Sequence, residues 1–111
     1  TQETENLVSV DLLRRLEGAL LINIGRGSTL DHDALRQALD HGSVSHAVLD
    51  VFEEEPLPQA DWRWTDKRVT VTPHVAGLTL ADDAVNRFCY LLDEVLRTGQ
   101  LPDSVDVRRG Y

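Results

Sequence analysis

The chain has 111 residues, 41% of them hydrophobic and 27% charged, which is the size of one domain or less and the balance of an ordinary globular chain rather than a disordered one. No window approaches the ~18 apolar residues of a membrane span, and the polar opening Thr1-Gln2-Glu3-Thr4-Glu5-Asn6 is no signal peptide. Eleven basic against nineteen acidic residues leave a formal charge of −8, which argues against a nucleic-acid or anionic-membrane partner.

In chain order, Ser9 is placed to cap a short helix through Leu12, Leu13 and Leu16, with Gly18 as its stop. Ala19 to Ile24 is a nearly continuous apolar run, the pattern of a strand buried on both faces. Gly25-Arg26-Gly27-Ser28 reads as a turn. Asp31 then caps a helix whose apolar residues Ala34, Leu35, Ala38 and Leu39 recur at helical spacing until Gly42. His46 to Val51 reads as a second strand, and Arg68 to Thr72 as a third closed by Pro73. The connection between these two strands has no helical stripe. Thr79 with Asp82 resembles a capping box, and Ala84, Val85, Phe88, Leu91, Leu92, Val95 and Leu96 form a long amphipathic stripe ending at Gly99. The order predicts an α/β fold with a parallel sheet and helices on its faces. Three strands are few for a doubly wound sheet. The absence of any methionine, an initiator included, also predicts a segment of a longer or processed chain.

Open α/β sheets bind ligands beyond the carboxyl ends of their strands. Here those ends carry Asn23-Ile24-Gly25-Arg26-Gly27, Asp50 followed by Glu53-Glu54-Glu55-Pro56, and Thr72-Pro73-His74, so parallel pairing brings an arginine, carboxylates and a histidine to one edge. Arg26 lies between two glycines, where a ligand can approach the backbone, and its guanidinium fork can hold a carboxylate by two parallel hydrogen bonds. A solvated loop arginine is the competing reading. Histidine can give or take a proton near neutrality; the plainer reading of His74 is a turn residue bonded to backbone. The three glutamates read as a solvated acidic loop unless one packs against His74, where it would stabilise the imidazolium and fix its ring. Spacing does not choose among them.

The remaining candidates are weaker. His32, His41 and His46 have no metal-ligand spacing with Cys89 or with one another, so no metal site is expected. Cys89 reads as a small core residue of the last helix, and a single cysteine fits an intracellular, cytoplasmic home. Trp62 and Trp64 read as cover for the sheet edge or a domain contact. No G-x-G-x-x-G or Walker motif occurs, so these residues hold no pyrophosphate by the usual route.

Three stretches, Asn23 to Gly27, Leu49 to Pro56 and Thr72 to Gly77, together resemble the D-isomer-specific 2-hydroxyacid dehydrogenases in order and spacing. The likeness runs nearly end to end. Leu57-Pro58-Gln59 and the ending Val105 to Tyr111 look most like the glyoxylate/hydroxypyruvate reductase A branch. The resemblance implies the C-terminal half of a Rossmann-like, doubly wound cofactor domain over residues 1–78, an inter-domain crossing helix over 79–98, and a tail over 99–111 that packs on the substrate domain. It implies that Arg26 grips the carboxylate and carbonyl of a small 2-keto or 2-hydroxy acid, that His74 is the acid protonating the carbonyl oxygen, and that Glu55 is the carboxylate paired with it. Asp50 would lie near the nicotinamide carboxamide, with Ile24, Gly25, Arg26 and the turn His74-Val75-Ala76-Gly77 lining the cofactor.

The implied cofactor is NAD(P)(H), NADPH favoured, and the implied assembly is a homodimer. The implied activity is reduction of glyoxylate- or hydroxypyruvate-like acids to D-2-hydroxy acids by a larger enzyme whose dinucleotide fingerprint precedes Thr1, so the 111 residues alone are expected to be inactive. His46 departs from the glycine common in the family, and crowding of helix against strand is expected there. Two other readings compete: an NAD(H)-binding regulatory module like the family's corepressors, and an inactive remnant.

Overall fold

The computed structural model describes residues 2–77, 79–100 and 102. Their contacts fall into two compact units, Gln2–Gly77 and a second one containing the last helix. In the first, β1 (Ala19–Asn23), β2 (Val44–Leu49) and β3 (Val69–Val71) form a sheet in the order β1-β2-β3. Both pairings are parallel; Asn23 lies beside Leu49, and Leu49 beside Val71. All three strands therefore end at one edge.

A single turn of helix, α1 (Val10–Leu13), precedes β1, and α2 (His32–His41) joins β1 to β2. The Asp31 carboxylate accepts from the Ala34 amide at 2.9 Å, which satisfies one of the open N–H groups of the first turn. Gly42, at φ 78°, ends the helix in the left-handed conformation that a side chain disfavours. Between these stops Ala34, Leu35, Ala38 and Leu39 are buried, and with Leu13, Leu30, Ala47 and Leu49 they form the core. From β2 to β3 the chain crosses over with only the 3-10 turn Trp62–Trp64, as the missing helical stripe predicts.

Several expectations are corrected. The strand β1 is not buried on both faces: Leu21 packs on the core, while Leu20 and Ile22 are 57% and 58% exposed. The core lies on the face carrying Leu21, Ala47, Leu49 and Val71, and an apolar run cannot reveal which face stays exposed. His46 and Thr70 share that other face and hydrogen-bond at 3.0 Å, so the histidine stands away from α2 and does not crowd it. Ser9 occupies the N-cap of α1 but its side chain makes no cap bond, and the helix ends at Leu13, short of Gly18. β2 runs from Val44 to Leu49 and leaves Asp50 and Val51 beyond its end, both buried.

In the second unit, α3 (Ala81–Thr98) ends at Gly99, as its sequence predicts. It has Leu80 at its N-cap with no side-chain cap bond, so the Thr79–Asp82 capping box does not form. Cys89 is exposed rather than a core residue. An Arg97–Glu94 ion pair at 2.7 Å supports the last turn of α3. The ending Val105 to Tyr111 lies outside the described residues.

Candidate active site

The edge where the strands end collects the polar groups that the sequence singles out. After β1, the Asn23 side chain folds over the turn: its Oδ1 accepts from the Gly25 amide at 3.1 Å and its Nδ2 donates to the Arg26 carbonyl at 3.1 Å. This Asx-type turn holds the Arg26 loop to the strand. The Arg26 side chain is exposed, and its Nη1 donates to the Gly25 carbonyl at 2.9 Å. Gly27 is buried hard against the next loop. A Cβ there would lie 2.0 Å from the Phe52 carbonyl carbon and 2.4 Å from the Glu53 nitrogen, so only glycine fits.

Beyond β2, Asp50 is buried and its carboxylate is fully engaged. It accepts from the Val75 amide at 3.0 Å, from the Ala76 amide at 2.9 Å and from the Thr72 hydroxyl. The Thr72 bond foremost, then the Ala76 N–H, holds its carboxyl below the usual carboxylate range against the opposing effect of burial. The bonds tie the turn after β3 to the end of β2, and His74 sits in that turn at φ 53°, a left-handed conformation uncommon for a residue with a side chain.

Glu55 completes the group. Its Oε1 accepts from the Phe52 amide at 2.8 Å, and its Oε2 accepts from His74 Nδ1 at 2.8 Å. An ionised carboxylate only accepts, so Nδ1 carries the hydrogen and Nε2 is the nitrogen left to face a ligand. The His74 bond first, and the Phe52 N–H second, hold the Glu55 carboxyl below its ordinary value. Glu53 lines the cleft and Glu54 is exposed.

Arg26, Glu55 and His74 share one open cleft of about 350 Å³, walled by Gly27, Val51 and Phe52. The cleft offers a guanidinium for a carboxylate and an imidazole oriented by a second carboxylate. That is the equipment for binding a small acid and moving one proton. Ile24, Gly25, Val75, Ala76 and Gly77 are exposed at the same edge, Ile24 by 60% and Val75 by 54%. Two uncovered apolar side chains beside main chain offer a flat, weakly polar surface.

Sequence reasoning missed the residues that hold these groups in place. Asn23 and Thr72 were legible only as strand-end residues, although an Asn at the end of an apolar run, two residues before a glycine, is a turn signal. The Phe52 amide that fixes Glu55 has no sequence signature, because any residue but proline supplies one.

Comparison with known proteins gives these groups a context. The family model described as "D-isomer specific 2-hydroxyacid dehydrogenase, NAD binding domain" matches residues 1–76. A glyoxylate/hydroxypyruvate reductase A of Serratia proteamaculans is 44% identical over the whole chain, which spans 36% of that protein. A D-isomer specific 2-hydroxyacid dehydrogenase of Xanthobacter autotrophicus, solved with NADPH and MES, is 38% identical; it superposes with a TM-score of 0.90 over all of this chain and 46% of its own. An NADPH-dependent glyoxylate/hydroxypyruvate reductase of Sinorhizobium meliloti, solved with NADP and sulfate, is 30% identical with a TM-score of 0.86, covering all of this chain and 37% of its own. The chain thus spans less than half the length of each of these relatives. By the family match and the fold together, this chain belongs to the D-isomer specific 2-hydroxyacid dehydrogenases.

Proposed function

We propose that these residues supply the acid and the substrate grip for NAD(P)H-dependent reduction of a small 2-keto acid, of the glyoxylate or hydroxypyruvate type, to its D-2-hydroxy acid. The observation that carries this reading is the shared cleft of Arg26 and the Glu55–His74 pair, with the 2.8 Å bond from Nδ1 to Oε2 turning the second ring nitrogen outward. Arg26 holds the substrate carboxylate through its guanidinium fork and places the adjacent carbonyl at His74. His74 donates the proton from Nε2 to the carbonyl oxygen, and Glu55 stabilises the imidazolium from the opposite side of the ring. The positive charges of Arg26 and His74 meet the negative charge that develops on that oxygen, which is stabilisation directed at the transition state. A bound dihydronicotinamide would supply the hydride. Asp50 acts on the cofactor edge through the turn it holds, since the Val75 and Ala76 amides that it engages belong to the stretch facing the ring.

NADPH is the preferred donor in this reading, supported by the two relatives solved with NADPH or NADP. The glycines of a dinucleotide fingerprint are absent from the 111 residues, so the reading assigns activity to the complete protein carrying them and none to the 111 residues by themselves. The test is oxidation of NADPH and NADH by that protein with glyoxylate, hydroxypyruvate and pyruvate. Turnover with at least one of the first two acids, lowered about a hundredfold or more by His74→Ala, is the expected result. No turnover with any 2-keto acid and either cofactor would overturn the reading.

A further inference from the structure

Behind the cleft lies a polar cluster that the reaction does not use. Arg63 is about nine-tenths buried, and its guanidinium is gripped by Asp61 through two parallel bonds, Nε to Oδ1 at 2.8 Å and Nη2 to Oδ2 at 2.7 Å. A third donor, Nη1, reaches His32 Nδ1 at 3.0 Å from the first turn of α2. Arginine only donates, so Nδ1 accepts and the His32 hydrogen is on Nε2, a buried atom. Burial, and then the Arg63 charge, lower the His32 pKa, as a neutral accepting ring requires. The flat guanidinium stands over the Phe52 ring, 5.2 Å from its centroid.

Phe52 is the residue on which both sides of the cleft depend. Its amide holds Glu55 Oε1, its carbonyl touches the backbone of Gly27 next to Arg26, and its ring rests on Arg63. We propose that Arg63, clamped between Asp61 and His32, is a positioning residue for the site: by backing the Phe52 ring it fixes the amide that holds Glu55 against His74. A buried ion pair is a costly way to fill space, since an apolar side chain would do so without desolvating two charges. What the guanidinium adds is direction, because a planar fork bonded at three corners fixes the plane on which the ring lies. The placement of Glu55 rests on contacts described above, whereas the effect on turnover rests on the proposed reduction.

The test uses Arg63→Met and Arg63→Lys. The lysine variant keeps a charge opposite Asp61 and loses the plane, so it guards against a failure to fold. In the full chain, carbon-13 NMR would follow titration of the Glu55 carboxyl, with the amide spectrum reporting the fold. In the complete protein, kcat and KM for the keto acid would be measured. Glu55 is expected to titrate at higher pH in the folded variants, with kcat lowered on the order of tenfold or more and KM changed by less than about threefold, since Arg26 is untouched. An unchanged Glu55 titration in a folded variant would overturn the proposal, even if kcat fell, because the loss would then run by another route. If the parent protein reduces no 2-keto acid, the functional reading fails and the Glu55 titration still decides what Arg63 does.

Discussion

At the scale of single residues, the proposed reduction divides the work of the site between a side chain that binds and one that reacts. In the proposed reduction Arg26 holds the substrate carboxylate in the ground state and gains further as charge develops on the carbonyl oxygen, whereas His74 matters chiefly when the proton moves. Arg26→Ala is therefore expected to raise KM and lower kcat together, and His74→Ala to lower kcat by about 10²–10⁴-fold with a smaller change in KM. Steady-state kinetics of the complete protein check this, and equal effects on both parameters from both substitutions would contradict the division. That Arg26 and His74 come to one edge was legible in the sequence because parallel strands send their carboxyl ends there. Which of three adjacent glutamates meets His74 was not legible from spacing: the choice depends on the Phe52 amide, which holds Glu55 from the other oxygen. The Asp61–Arg63–His32 cluster was illegible for a similar reason, since its members lie up to 31 positions apart and meet only when α2 folds back beside the 3-10 turn.

At the scale of elements, the loops after β1 and β2 meet backbone to backbone at Gly27 and Phe52. The space between Gly27 and the Phe52–Glu53 peptide admits no Cβ, so Gly27→Ala must push the Arg26 loop and the Phe52 loop apart. The expected cost is about 1–3 kcal/mol or more of stability, read from the denaturation midpoint, together with lost turnover; an alanine variant as stable and active as its parent would refute the close contact. Helix α2 was read correctly end to end because its signals are local: Asp31 before the first turn, Gly42 after the last, and four buried residues at one spacing. Where a feature depends on distant chain, local reading failed. The run Ala19 to Ile24 looks doubly buried because five of its six residues are apolar, yet burial is decided by what covers each face. The Thr79–Asp82 pair has the spacing of a capping box, but α3 starts one residue later than such a box needs.

At the scale of the whole chain, the folded state holds several carboxyls below their ordinary values and one imidazole as well. Asp66, bonded by Arg68 at 2.7 and 3.0 Å, is lowered to about 2, and Asp50, Glu55 and Asp61 are lowered too. Each is a stronger acid folded than unfolded, so the stability it adds is complete above the ordinary carboxylate range near pH ~4 and is lost as pH falls toward 2. His32 acts in the same direction at higher pH. Burial and Arg63 lower it, Glu53 and Asp61 oppose them, and the unfolded chain takes up this proton first below about pH 6.5. Thermal unfolding followed from pH 8 to 2 is expected to fall in two stages, and His32→Asn to flatten the upper stage while leaving the lower. An upper stage unchanged in that variant would remove His32 as its source.

In the proposed reduction, the backbone contact at Gly27 would also make the cleft a gauge. Side chains on opposing loops could slide to admit acids of different lengths, but here the loop of Arg26 and the loop of Glu55 are separated by a fixed thickness of peptide. A 2-keto acid has its own fixed length, because its carboxylate and carbonyl carbons are bonded to each other. The two isomers 2-ketobutyrate and 3-ketobutyrate contain the same atoms and differ only in that length. If the peptide sets the gauge, the second isomer carries its carbonyl past the His74 imidazole, and kcat/KM is expected to drop by roughly a hundredfold. Equal turnover of the two would mean that the loops yield. What the protein would select is then a distance between two functional groups, with the remainder of the substrate free to vary.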